Sequence, residues 1–123
     1  MCINNMVGIK KKPYVDKLKK LAQSLGFIAY ENLRYPHYWP DLVWRKGDMT
    51  VGFEVEYGRV NGKKITGDAF WLCRTFDIGF IQVVKPERLK RYANLVKDLD
   101  VDFKMKVHVI STDLNEIITI LMV

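Results

Sequence analysis

Hydrophobic and polar positions between Pro40 and Tyr57, in the stretch PDLVWRKGDMTVGFEVEY, sort into two strands about a turn. Two apolar-rich runs flank Gly47-Asp48, a pair that reaches positive φ at little cost, and this predicts a β-hairpin with a two-residue turn. Counting outwards from the turn sets Lys46 opposite Met49, Trp44 opposite Val51, Leu42 opposite Phe53 and Asp41 opposite Glu54. Successive side chains point to opposite faces of a strand. Leu42, Trp44, Val51, Phe53, Val55 and Tyr57 therefore share one apolar face, and Asp41, Glu54 and Glu56 share the other.

The pattern on either side predicts helices and further strands. Residues 1–12, with Lys10, Lys11 and Lys12, read as a flexible basic lead-in. Pro13 suits a first helical turn, Tyr14, Leu18, Leu21, Ala22 and Leu25 recur at helical spacing, and Gly26 is a natural stop. Phe27 to Tyr30 begins a strand, and residues 31–40 form a loop. Gly58 to Lys64 is a glycine-rich turn, one residue short of a phosphate-binding P-loop and with no Ser or Thr after the lysine, so no nucleotide cofactor is expected. A helix from Thr66 or Asp68 to Phe76 follows. Phe80 to Val84 is almost wholly apolar, which predicts a central strand covered on both faces and a mixed sheet. Pro86 opens a helix to Leu99, and Val101 to Val109 alternates strictly, as an edge strand does. The tail from Asp113 has a capping pair with Glu116 and is apolar nearly all round, which suits either core or an oligomer interface; a homodimer contact is the expectation.

Composition narrows the class. The chain has 123 residues, read as a single domain, and 49% hydrophobic with 28% charged residues is ordinary for a globular protein. Twenty Lys and Arg against 14 Asp and Glu give a net charge of +6, which favours a polyanionic partner such as nucleic acid. Two distant cysteines, Cys2 and Cys73, suggest neither a disulfide framework nor a zinc cluster. With no apolar leader at the start and no apolar run long enough for a membrane span, a cytoplasmic, intracellular protein is expected.

The polar face of the hairpin carries the candidate chemistry. Three carboxylates from adjacent strands make an all-oxygen site suited to Mg²⁺ or Mn²⁺, where the bland alternative is the wet side of an amphipathic strand. Lys63 and Lys64 are cations close to that face, and Lys17, Lys19 and Lys20 on the first helix could meet phosphates. In the loop before the hairpin, Tyr35, His37, Tyr38 and Trp39 lie among basic residues, an arrangement that either stacks on bases or packs the loop on the core. His37 and His108 have no evident metal partner.

The order helix, strand, hairpin with Pro40-Asp41 and Glu54-Val55-Glu56, then helix and FIQVV strand, resembles the PD-(D/E)XK nuclease superfamily over about Pro13 to Val84. That resemblance implies a restriction endonuclease-like α/β fold, a central mixed sheet flanked by helices. It also implies hydrolysis of DNA phosphodiester bonds with Mg²⁺ or Mn²⁺. Asp41 and Glu54, with the backbone carbonyl of Val55, would hold the metal. Glu56 stands where the family usually has lysine, so it would act as base or second ligand while Lys63 or Lys64 supplies the cation. Asp16 matches the acidic residue often found on the family's first helix. Lys17, Lys20, Arg59, Lys63 and Lys64 would contact DNA, in structure-directed or weakly sequence-specific cleavage by a homodimer. The alternative is a nucleic-acid-binding or assembly module that keeps the fold without catalysis.

Overall fold

The hairpin forms with the register that its turn dictates. Gly47 takes a φ of 59°, and Lys46 pairs with Met49, Trp44 with Val51 and Leu42 with Phe53. The computed structural model describes residues 2–100 and 106–122, with the side chains of the first helix from residue 9 onward. It is an α/β fold: a five-stranded mixed sheet flanked, among the described residues, by four helices. The elements run α1 (Cys2–Ser24), β1 (Ile28–Tyr30), β2 (Leu42–Lys46), β3 (Met49–Glu56), α2 (Gly62–Thr75), β4 (Ile78–Val83), α3 (Pro86–Lys97), β5 (Val107–Ile110) and α4 (Asn115–Leu121).

Spatial order follows chain order, β1 to β5. β2 pairs antiparallel with both β1 and β3, whereas β3, β4 and β5 run parallel to one another, joined through α2 and α3. β3 is therefore the middle strand, with β4 beside it, and Val51 to Glu56 are all buried. One face carries Leu42, Trp44, Val51, Phe53, Val55 and Phe80 against Val15, Leu18 and Ala22 of α1 and Ile117 of α4. The other carries Val43, Ile81 and Val83 against Ile65, Ala69, Leu72 and Phe76 of α2 and its C-terminus, and against Tyr92 and Val96 of α3. Glycines let α2 lie close: a Cβ on Gly79 would stand 2.6 Å from the Leu72 Cβ.

Two boundaries differ from the sequence pattern, the starts of α1 and α2. α1 begins at Cys2, not Pro13, which lies inside the helix. Basic residues read as a flexible lead-in are thus helical, and two of them find partners on the body of the protein: Lys11 ion-pairs with Asp41 at 3.1 Å and the Lys10 ammonium lies 5.9 Å from the Tyr57 ring centre. α2 begins at Gly62, four residues before the earliest start its apolar pattern suggested. Asn61 is its N-cap, accepting the Lys64 N–H at 2.9 Å, so the last three residues of the glycine-rich turn are helix. β5 is an edge strand over Val107–Ile110, and residues 101–105 of the expected strand lie outside the described residues. The tail packs inward: Ile117 is fully buried with Leu114, Ile120 and Leu121 on the same cluster, leaving Met122 exposed. No helix among the described residues is long and apolar enough to cross a membrane.

Candidate metal centre

Strand alternation puts Gly52, Glu54 and Glu56 on the face of β3 that α2 covers. Glu54 and Glu56 are only 4% and 2% exposed, which excludes their being the wet side of a strand. Asp68 joins them from the inner face of α2, where the helical repeat aligns it with Ile65, Ala69 and Leu72. One carboxylate oxygen from each of Glu54, Glu56 and Asp68 lies within 4.8 Å of the other two. Lys64, one turn before Asp68, bridges the group, with its ammonium 3.0 Å from Glu56 and 3.2 Å from Asp68. The Tyr38 hydroxyl donates to Glu54 Oε2.

Asp41 sits at the rim. The β2–β3 ladder ends at Leu42 and Phe53, so Asp41 precedes the strand and has no laddered position opposite Glu54. Its Oδ2 accepts the Val55 N–H at 2.7 Å and the Lys11 ammonium at 3.1 Å.

Burying this many carboxylates together splits their proton affinities. Glu54 is pushed well above the usual carboxylate range, first by burial and then by the negative charges of Asp41 and Asp68. Asp68 is raised to about 8, by burial and by a hydrogen bond shared with Glu56. Glu56 moves down: burial opposes its ionisation, but the Asp68 hydrogen bond and the Lys64 charge outweigh it. The Lys64 ammonium is likewise held charged, since Asp68 and Glu56 outweigh its own burial. Tyr38 is raised, by burial and then by Glu54, and stays a hydroxyl donor.

A carboxyl whose pKa rises on folding binds its proton more tightly in the native state than in the unfolded chain. Stability tied to Glu54 and Asp68 is therefore full below their unfolded values, about 4, and is lost as pH climbs through their folded ones. The metal-free protein is expected to be less stable at pH 8.5 than at pH 5 by ~2 kcal/mol or more, and Asp68→Asn is expected to flatten that slope. Urea unfolding of both proteins at the two pH values measures it. Equal slopes would show that Asp68 carries no raised pKa.

Of the residues picked from sequence, Glu54, Glu56 and Lys64 come together in the cluster, and Asp41 flanks it. Val55 meets it through its N–H on Asp41. Lys63 and Arg59 are exposed nearby in the chain, on the first turn of α2 and after β3. Lys17 and Lys20 are exposed on α1, which covers the opposite face of the sheet. Asp16 pairs with Lys12 at 3.4 Å on that helix rather than with the cluster. His108 is half-buried beside Phe80, and burial lowers its pKa. Asp68, Tyr38 and Lys11 are the members that sequence reasoning missed. A carboxylate on the inward repeat of α2, one turn after a lysine, was the signal for Asp68.

Comparison of the chain with protein-family models, with curated proteins and with solved structures found no match. Fold and site thus define its class: a mixed α/β protein with a buried, lysine-bridged carboxylate cluster on the middle strand of its sheet.

Proposed function

We propose that the protein is a divalent-metal-dependent nuclease of the PD-(D/E)XK type, acting on DNA. The observation that carries this reading is the convergence of Glu54, Glu56 and Asp68 on one point, with Lys64 beside them. The donor set fits the ion. All donors are oxygens, as Mg²⁺ and Mn²⁺ prefer, and burial first, with the neighbouring acids after it, disfavours the charged forms of Glu54 and Asp68, a penalty that a bound cation would relieve. Glu54, Glu56 and Asp68 would hold it, with Asp41 available at the rim. When bound, the metal supplies a water of lowered pKa and screens the phosphate.

The chain's own groups supply the rest. Glu56, kept ionised, is the proton acceptor of the site. Lys64 is kept charged and takes the place of the lysine that the motif lacks at Glu56, ready to orient a water or meet a phosphate oxygen. Tyr38 fixes Glu54 through its hydroxyl. The net charge of +6 holds the flanking phosphates without reading sequence.

One observation favours the second reading, a nuclease fold kept for binding alone: Lys11 and Lys64 already occupy carboxylates that a metal would use. Mg²⁺- and Mn²⁺-dependent cleavage of labelled linear, branched and single-stranded DNA separates the two, with Asp41→Ala and Glu54→Ala beside the parent. Cleavage that Glu54→Ala loses is the expected result. Salt-sensitive binding with no cleavage of any substrate would establish the binder instead.

A further inference from the structure

Beside the carboxylates lies a group of aromatic rings at the margin of the core, where Tyr38 packs against it while Trp39 and Phe70 stay exposed. Tyr38, whose hydroxyl holds Glu54, stacks on Trp71 with ring centres 6.0 Å apart and planes 14° from parallel. His37 lies 6.2 Å from the same indole, and Phe70 meets it edge-on at 5.2 Å. Trp39, next in the loop, is 52% exposed, and Phe70 is 39% exposed. Exposing an indole and a phenyl ring to water is unfavourable, and the two exposed ones are each paired with a guanidinium: Arg34 sits 3.9 Å over Trp39 and Arg74 5.4 Å from Phe70. Lys64, Asp68 and Trp71 follow one another at helical spacing on α2, so cluster and aromatic surface share one side of that helix.

Rings edged by arginines match a ligand with flat faces and negative linkers. We propose that these rings, Trp39 and Phe70 with His37 and the Tyr38–Trp71 stack, bind unpaired nucleotides. Single-stranded or branched nucleic acid, rather than plain duplex, is then the ligand of the neighbouring centre. Bases in a duplex have their faces covered by their neighbours, whereas an unpaired strand offers every face for stacking and every phosphate to Arg34 and Arg74. The cleavage of that strand rests on the nuclease reading; its capture does not.

Fluorescence anisotropy with a labelled oligothymidylate, an oligouridylate and a DNA duplex of the same length, all in EDTA, tests the surface on the full chain. A single strand is expected to bind at least about tenfold more tightly than the duplex. Trp39→Ala and Phe70→Ala are each expected to weaken strand binding roughly tenfold with an unchanged salt slope, because the lost contact is stacking and not a phosphate. Trp39→Phe should keep the parental affinity. Equal binding of duplex and strand, or alanine variants that bind the strand like the parent, would overturn the proposal. Circular dichroism verifies that the variants fold. Cleavage assays on the same preparations keep the two readings apart. Strand capture that needs the aromatic rings but no cleavage sinks only the nuclease, and metal-dependent cleavage indifferent to both alanine variants sinks only the aromatic surface.

Discussion

Glu54→Gln is expected to lower metal-dependent cleavage by at least about 10³-fold, equivalent to ~4 kcal/mol of transition-state stabilisation, while making the metal-free protein more stable at alkaline pH, where the parent must ionise Glu54. The two effects have one cause. Glu54 is almost fully buried, facing Asp41 and Asp68, and its charged form is disfavoured by that burial and by both neighbours. Glutamine keeps the shape and an oxygen for the Tyr38 hydroxyl, but it removes the charge that repels its neighbours and that would hold the ion. The parent should gain about 3 kcal/mol at metal concentrations a hundredfold above Kd, which is roughly 10 °C in Tm for a chain of this size. Thermal unfolding with and without Mn²⁺ measures this beside the cleavage assay. A variant that is less stable without metal, or that keeps the full Mn²⁺ shift, would show that Glu54 is a structural acid and not a ligand.

The hairpin was legible because local chemistry fixes it: two turn residues set the register, and the register sorts apolar from acidic positions. It also gave Glu54 and Glu56 a common side without knowledge of the rest of the fold. What covers that side was not legible, because α2 reaches it through parallel pairing of β3 with β4, a contact between residues far apart in the chain. Asp68 was missed for a related reason. The apolar repeat alone starts the helix at Thr66 or Asp68, which leaves the aspartate at the helix end. Once Asn61 is the cap, the same aspartate is almost two turns inside the helix and faces the sheet. Asp41 shows the limit of register counting: the pairing rule holds to Leu42, and one residue further the chain leaves the ladder and the side chain bonds the Val55 N–H instead. The same logic applies to Pro13. A proline fits a first turn, yet here the helix continues on its N-terminal side, where Lys11 reaches Asp41.

Gly52→Ala is expected to cost about 3 kcal/mol of stability and to weaken the metal centre as well. Gly52 lies on β3 two residues before Glu54, on the same face. A Cβ built there would overlap the Phe76 ring, with Cγ 2.8 Å away and Cδ2 and Cε2 nearer still. Phe76 has little room to yield. It is buried at the C-cap of α2, meets Tyr35 edge-on at 5.5 Å and packs against Tyr38 at 6.4 Å. Displacing it pushes on Tyr38, and Tyr38 is the hydroxyl that holds Glu54. The strain should therefore appear twice, as a lower midpoint in urea and as a smaller Mn²⁺-induced rise in Tm. Adding Phe76→Leu to Gly52→Ala tests the cause, since a smaller side chain leaves space for the methyl group and the pair should be less destabilised than the sum of the single changes. If Gly52→Ala stays within about 0.5 kcal/mol of the parent, α2 does not press on β3 as closely as this packing requires. If the losses of the two single variants simply add, the clash lies elsewhere than at Phe76.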